Sequence, residues 1–254
     1  MDPQRHAARG PAERGLSIVV PAYNEAHRLP DTLPRLIDYV RQLREPTEII
    51  VVDDGSVDGT SELARTLGRA AGCLTVLQSP ENHGKGASVR RGVLAARHPH
   101  VLYTDADLST PIEELPSLEA RLDRGFDVAI GSRAVVGARI EVHQSAFRET
   151  AGRAFNVLVR LLLLPGIRDT QCGFKLFTAA AAQAAFEPVR LAGFSFDVEA
   201  IYVARRRGLR VAEVPVLWRN DVATRVGGLS GTRAFLDLLR IRLNAARGRY
   251  GAAL

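Results

Sequence analysis

Short unbroken apolar runs alternate with amphipathic stretches along the first half of the chain. Leu16 to Val20 is a run of the kind a fully buried parallel strand presents. Leu33, Leu36, Ile37, Val40 and Leu43 follow at the spacing of one helical face. Glu48 to Val52 predicts a second strand, Leu74 to Leu77 a third and Val101 to Thr104 a fourth. Between them, Asp58-Gly59-Thr60 offers capping residues for a helix through Leu67, and another helix is predicted over 87–96. Alternation at about thirty residues per strand-helix unit predicts an α/β fold, a doubly wound and mostly parallel sheet. Val128 to Ile130 and Val211 to Leu217 predict further strands, the latter interrupted by Pro215 and so placed at an edge. Helices are expected over 146–164, 178–186, 197–207 and 232–246. No internal repeat or low-complexity linker divides the chain. The expected organisation is a tail over 1–15, a single domain over 16–230, and a basic amphipathic helix and tail over 231–254.

With 254 residues, 46% of them hydrophobic, the chain is long enough for one sizeable core. No window reaches the ~18 uninterrupted apolar residues of a membrane-spanning helix. The first fifteen residues lack the apolar centre of a secretory signal. Two cysteines, Cys73 and Cys172, exclude a disulfide scaffold and a cysteine-rich zinc site, and predict a reducing cytoplasm. The net charge of +6 is unevenly spread: residues 204–254 hold eleven arginines against three acids, leaving 23 basic and 25 acidic residues elsewhere. A basic end on a near-neutral body suits a polyanionic partner, either nucleic acid or an anionic membrane face.

Ligands of open α/β sheets bind outside the carboxyl ends of the strands. Here those ends are polar: Pro21-Ala22-Tyr23-Asn24-Glu25, Asp53-Asp54-Gly55-Ser56 and Asp105-Ala106-Asp107. Neither glycine-rich phosphate signature, G-x-x-x-x-G-K-[ST] or G-x-G-x-x-G, is present. One carboxylate after a strand is usually a cap or turn former. Asp105 and Asp107, two apart in a turn, can both approach one divalent cation, and hard Mg²⁺ or Mn²⁺ takes carboxylates together with phosphate oxygens.

The series PAYNEA (21–26), VVDDGSVDGT (51–60), GKG (84–86), DADLS (105–109), GSR (131–133), Arg148 and RDTQCGFKLF (168–177) resembles the family 2 glycosyltransferases of GT-A fold. With FSFDVEAIYVA (194–204) and a basic IRL end (241–243), the likeness is strongest to the dolichyl-phosphate glucosyl- and mannosyltransferase branch, over roughly residues 16–245. The Q-x-x-R-W signature of processive synthases is absent. The resemblance implies that Pro21, Tyr23, Glu25, Asp53 and Asp54 face the uridine of a UDP-sugar. Asp105 and Asp107, with Ala106 between them, would hold the metal, Mg²⁺ or Mn²⁺, that stabilises the leaving diphosphate. It also places Lys85 and Arg133 at the donor, Gln171 in a sugar-facing loop with Asp169 and Thr170, and Arg148 and Arg225 at an acceptor phosphate. Asp107, Arg148 and Asp197 are its catalytic candidates.

Two readings stay open at several positions. Lys85 is either donor-facing or an ordinary turn lysine; Asp197 and Glu199 either act in the site or favour a helix dipole. Cys172 reads as a packed residue, because no histidine motif accompanies it. The implied reaction is inverting transfer of a hexose, glucose by preference, from a UDP-sugar to a polyprenyl (dolichyl-type) phosphate. Such an acceptor is already anionic, so positioning and electrostatics would suffice. Relatives in this branch carry membrane spans; here membrane contact is expected from Leu236, Leu239 and Leu243 with Arg233, Arg240, Arg242 and Arg247, peripheral on the inner face. Alternatives are a soluble acceptor, with Asp197 as its base, and a non-catalytic binder of nucleotide sugars or nucleic acid. No nucleic-acid motif is present, so nucleic acid is not an expected partner.

Overall fold

The computed structural model describes residues 15–142, 146–219 and 229–251, with the side chains of 146–149 and 229–233 outside that description. Four βα units open the chain: β1 (Leu16–Ala22), α1 (Leu29–Gln42), β2 (Thr47–Asp53), α2 (Thr60–Gly68), β3 (Leu74–Gln78), α3 (Lys85–Ala95), β4 (His100–Thr104) and α4 (Leu115–Leu122), the last entered through a 3-10 turn. Then come β5 (Val128–Ser132), β6 (Arg139–Val142), α5 (Ala146–Leu162), β7 (Phe174–Thr178), α6 (Ala179–Phe186), α7 (Phe196–Arg206), β8 (Val211–Pro215), β9 (Leu217–Arg219) and α8 (Leu229–Ala246).

Seven strands form one sheet in the order β3-β2-β1-β4-β7-β5-β8, and β6 and β9 form a small parallel pair. The apolar runs of β1, β2, β4 and β5 are buried on both faces, as a parallel sheet between two helical layers requires, while the edge strands β3 and β8 are only partly buried. Ile18, Val20, Ile49 and Val51 pack under α1, α2 and α4; Val19, Ile50, Val52 and Tyr103 pack under α3, α6 and α7. Adjacent residues of one strand thus serve opposite layers.

Several elements depart from expectation, among them β6, which had no predicted counterpart. Residues 211–217 are not one strand: Pro215, which has no N–H for the ladder, ends β8 at the sheet edge, and Leu217–Arg219 pairs instead with β6. Helix α4 was not anticipated, although Leu115, Leu118 and Leu122 are all buried on one face of it. The segment 174–178, met as part of a motif, is the one strand of the large sheet that runs against the others, between β4 and β5. Because β7 is reversed, it begins where β4 ends: Phe174 lies opposite Thr104. The loop of residues 168–173 is thereby carried to the carboxyl ends of the parallel strands.

Candidate active site

The loops after β1, β2 and β4 are fastened to their neighbours by backbone hydrogen bonds. Asn24, at a φ of 54°, accepts from the Val57 N–H through its side chain (3.0 Å), and its own N–H donates to Ser56 Oγ at 2.8 Å. Glu25 N–H donates to Thr60 Oγ1 (2.9 Å), while the Glu25 carboxylate pairs with Arg28 at 2.7 Å. Pro21 is a buried residue of β1, and Tyr23 stands half exposed just beyond it. Asp53 is wholly buried and turned into its own loop, accepting from Ser56 N–H (3.1 Å) and from the Ser56 and Ser61 hydroxyls. Asp54 accepts from the N–H groups of His83 (3.0 Å) and Gly84 (2.8 Å), which ties the β2 loop to the start of α3.

That tie positions Lys85, the first residue of α3. Its ammonium sits 2.6 Å from Asp105 Oδ1 and 5.9 Å from the Phe194 ring centre, so it is no solvated turn lysine. Burial works to lower the Lys85 pKa, but the carboxylates of Asp105, Asp197 and Asp107 outweigh it and the net shift is upward. Asp107 accepts from Ser109 N–H at 2.9 Å, and Leu108 between them holds a φ of 48°. Burial, then the neighbouring Asp105, raises the Asp107 carboxyl pKa. Ala106, between Asp105 and Asp107 in sequence, is buried. Asp105 packs so closely on Gly173 that a methyl group there would lie 2.1 Å from its Oδ2.

The reversed strand supplies the opposite wall. Arg133 donates from Nε (2.7 Å) and an NH₂ group (3.0 Å) to the two oxygens of Asp169, with its guanidinium 5.2 Å from the Trp218 ring centre. Burial would raise the Asp169 pKa, but Arg133 holds it down at about 2. The Arg133 fork thus faces Asp169 rather than open space, and it fixes the loop that begins β7. Gln171 Nε2 and Thr170 Oγ1, in that loop, are buried polar atoms without a hydrogen-bond partner among the described residues. Cys172 is buried and its thiol pKa is pushed up, chiefly by burial. Arg225 and the side chain of Arg148 lie outside the described residues.

Lys175 was missed. It faces Tyr103 across the β4–β7 ladder, so both side chains leave the same face of the sheet, where α7 covers them. Lys175 Nζ donates to Tyr103 Oη (2.7 Å), Cys172 O (2.5 Å) and Asp197 Oδ1 (2.6 Å), and Tyr103 Oη also hydrogen-bonds Asp197. Burial lowers the Lys175 pKa to about 7 and raises the Asp197 pKa well above its ordinary value. Asp197 is therefore an interior partner of Lys175, not a solvated helix cap. The signal was available: a lysine within Phe174-Lys175-Leu176-Phe177 is buried on either face and needs a partner. Glu199, one turn-half further on, is wholly buried and accepts from the N–H groups of Arg190 and Leu191.

A carboxylate pair is thus set at the end of a central parallel strand, faced by a lysine and walled by a loop with spare polar atoms. That arrangement can hold a cation and an anionic ligand together. Comparison with known proteins agrees in fold and family. The glycosyl transferase family 2 profile matches residues 17–186. Human dolichyl-phosphate beta-glucosyltransferase is 37% identical over 92% of this chain and 77% of its own length. The Saccharomyces cerevisiae protein of the same name is 31% identical over 92% and 76%. Among solved structures, Mycobacterium tuberculosis glucosyl-3-phosphoglycerate synthase in complex with UDP superposes with a TM-score of 0.65 at 21% identity, covering 94% of this chain and 81% of that one. Rubrobacter xylanophilus mannosyl-3-phosphoglycerate synthase gives 0.66 at 21% identity, covering 92% and 75%. The fold is accordingly GT-A, and the chain belongs to glycosyl transferase family 2, with the dolichyl-phosphate beta-glucosyltransferases among its relatives.

Proposed function

We propose that this glycosyltransferase moves a glucosyl residue from UDP-glucose to a polyprenyl (dolichyl-type) phosphate, with inversion at the anomeric carbon. The observation that carries the reading is the Asp105–Asp107 pair facing Lys85 at the end of β4, in a chain whose relatives at 31–37% identity are named for dolichyl-phosphate glucosylation.

The acid pair fits a divalent cation. Two like charges crowd each other there, and burial with that crowding raises the Asp107 pKa. Among the described residues no group of three or more His, Cys, Asp or Glu is gathered. Asp105 and Asp107 would therefore share the ion with donor phosphates and water, the coordination Mg²⁺ favours. When bound, the ion supplies Lewis-acid stabilisation to the diphosphate as it leaves. Lys85 adds a fixed positive charge on the same side, in a partly buried position where it counts for more than in water. Pro21, Tyr23, Glu25 and the Asp53–Asp54 loop would shape the uridine end, with Asp53 acting through Ser56 and Ser61. Thr170 and Gln171 would take hydroxyls of the sugar, since buried polar atoms left alone are costly.

The acceptor phosphate arrives as an anion, so no side chain needs to remove a proton from it. Asp197 is engaged inside the protein, its Oδ1 held by both Lys175 and Tyr103, and the scheme asks no proton removal of it. Arg133 acts by holding Asp169, and Arg148 and Arg225 are the proposed acceptor-phosphate contacts. A peripheral membrane face is proposed for α8, where Leu236, Leu239 and Leu243 are about half exposed, with Arg242 and Arg247 on the same helix and its end; α5, which meets α8 through Phe155 and Phe235, also exposes Val157 and Leu161. Among the described residues no helix is long and apolar enough to cross a membrane.

The test is a two-acceptor assay with UDP-glucose and Mn²⁺, offering a short polyprenyl phosphate and the matching free alcohol. Glucosylation of the phosphate alone, with a β-linked product by NMR, is the expected result. Equal transfer to the alcohol, abolished by Asp197→Asn, would overturn the acceptor assignment.

A further inference from the structure

We infer that Tyr250, near the C-terminal end of the chain, is a positioning residue for Lys85 and hence for the acid pair that Lys85 faces. The inference rests on the reading of Lys85 as a donor-site residue given above. A continuous series of contacts connects the two. Tyr250 Oη donates to Glu199 Oε1 at 2.6 Å, and both side chains are buried. The other oxygen of Glu199 accepts from the N–H groups of Arg190 (3.0 Å) and Leu191 (2.7 Å). Those two bonds fix the backbone of the loop between α6 and α7. The next carbonyls of that loop lie against the glycines flanking Lys85. Gly86 N–H donates to Ala192 O at 2.7 Å. A methyl group on Gly84 would sit 2.4 Å from Ala192 O, and one on Gly86 would sit 2.5 Å from Leu191 O. Gly84 also holds a φ of 103°, open to glycine and strained for other residues. Lys85 is the residue between these two clamped positions, and Phe194 of the same loop stands beside its ammonium.

The chemistry of Glu199 explains why the phenol matters. A fully buried carboxylate is tolerated when donors satisfy both oxygens. Oε2 receives the two loop N–H groups and Oε1 receives Tyr250. Tyr250 is itself held on both sides: Asn244 Nδ2 of α8 donates to its Oη at 3.3 Å, and Arg207, at the end of α7, donates to its carbonyl at 3.3 Å. Without the phenol, Oε1 is left as a buried, unsatisfied acceptor. The carboxylate then gains by turning toward water, and in turning it releases the loop that clamps Gly84 and Gly86. A residue about 165 positions away in sequence is in this way mechanically joined to Lys85.

Tyr250→Phe keeps the ring and removes the hydroxyl, and Glu199→Gln keeps one acceptor oxygen; both are compared with the parent chain. Hydrogen exchange of the ligand-free protein should quicken by about threefold or more in peptides covering 84–88 and 190–193. In steady-state assays with UDP-glucose, Mn²⁺ and a short polyprenyl phosphate, Tyr250→Phe should lower kcat by about 5–10-fold with the donor KM within twofold, the signature of an interaction made in the transition state. In a Lys85→Ala background the same substitution should produce no further loss, because a residue acting through Lys85 has nothing left to position. Faster exchange confined to α7 and α8, or a full additional loss in the Lys85→Ala background, would overturn the inference. Should Lys85→Ala alone prove fully active, the reading of Lys85 fails, and exchange at 84–88 still decides whether Tyr250 holds that segment.

Discussion

Gly173→Ala isolates the acid pair from the rest of the fold. A methyl group at this position would meet Asp105 Oδ2 at 2.1 Å and Cγ at 2.3 Å, against an ordinary contact near 3.4 Å, so the carboxylate must retreat by more than 1 Å. The clash is with the end of a side chain that is 29% exposed, not with backbone, so Asp105 can swing outward. The stability cost should stay at about 1–2 kcal/mol, the lower end for overpacking, or a fall in Tm of about 2–8 °C for a chain of this size. Function should suffer more, because displacement of about 1 Å at a reacting centre can cost ~10²-fold. The retreat also breaks the 2.6 Å contact with Lys85. The assay is threefold: thermal unfolding by circular dichroism, Mn²⁺ affinity in the presence of UDP by calorimetry, and glucosyl transfer. Gly193→Ala is the control, since nothing lies within 4 Å of a methyl group built there. Unchanged Mn²⁺ affinity and transfer in folded Gly173→Ala would refute the placement of Asp105 at the reacting centre.

Asp169→Asn should destabilise the fold by about 2 kcal/mol at pH 7, from a carboxyl held at about 2 against an ordinary value of 3.8. Because the folded value is depressed, that stabilisation is complete above pH ~4 and is lost as pH falls toward 2; urea unfolding should show the gap to the parent chain roughly halved at pH 3, and an equal gap at pH 3 and pH 7 would exclude the ion pair as its source. Asp107→Ala should leave the protein folded and reduce transfer by about 10²-fold or more, and excess EDTA should stop the parent enzyme; full turnover in EDTA would remove the cation from the mechanism. Binding to anionic vesicles should weaken steeply between 0.1 and 1 M salt, as the screening length falls from ~10 to ~3 Å, and Leu239→Glu should weaken it further; equal binding to neutral and anionic vesicles would count against an electrostatic component of the α8 face.

Most of the first half of the fold was legible because β1, β2 and β4 are nearly continuous apolar runs and α1 has its own amphipathic stripe. Local pattern and tertiary role coincide in β1, β2 and β4, and the D-x-D pair follows a strand that could be read directly. The second half was less legible for a topological reason. The chain re-enters the sheet as β7 between β4 and β5, and neither its reversed direction nor its neighbours are encoded in five residues of sequence. The pairing of Arg133 with Asp169 depends on that re-entry, so no local spacing announces it. The Lys175–Asp197 pair is similar, except that a lysine among phenylalanines was itself a signal. Helix α4 shows a lapse of another kind, since Leu115, Leu118 and Leu122 carry an ordinary helical period.

Acidic residues at strand ends look alike in sequence, and hydrogen bonding is what separates them. Asp53 accepts from two serine hydroxyls and a backbone N–H, Asp54 from two backbone N–H groups, and Asp169 from Arg133 and two backbone N–H groups. Each of these carboxylates is neutralised by donors of the protein, and each fixes the shape of a loop. Asp105 and Asp107 differ: among the described residues one meets the Lys85 ammonium and the other only Ser109. A partly buried acid pair so sparsely satisfied gains when a cation completes it, which is the condition a metal-bridged diphosphate would meet. The same reasoning divides the cations. Arg133 is committed to Asp169, so its charge is largely balanced before any ligand arrives. Lys85 is shared with an acid that a metal would claim, so donor binding would turn its charge toward phosphate. On the proposed reading the lysine would pair with Asp105 until a metal claims that acid and would then contact the donor phosphate, a role that a backbone clamped on both sides suits.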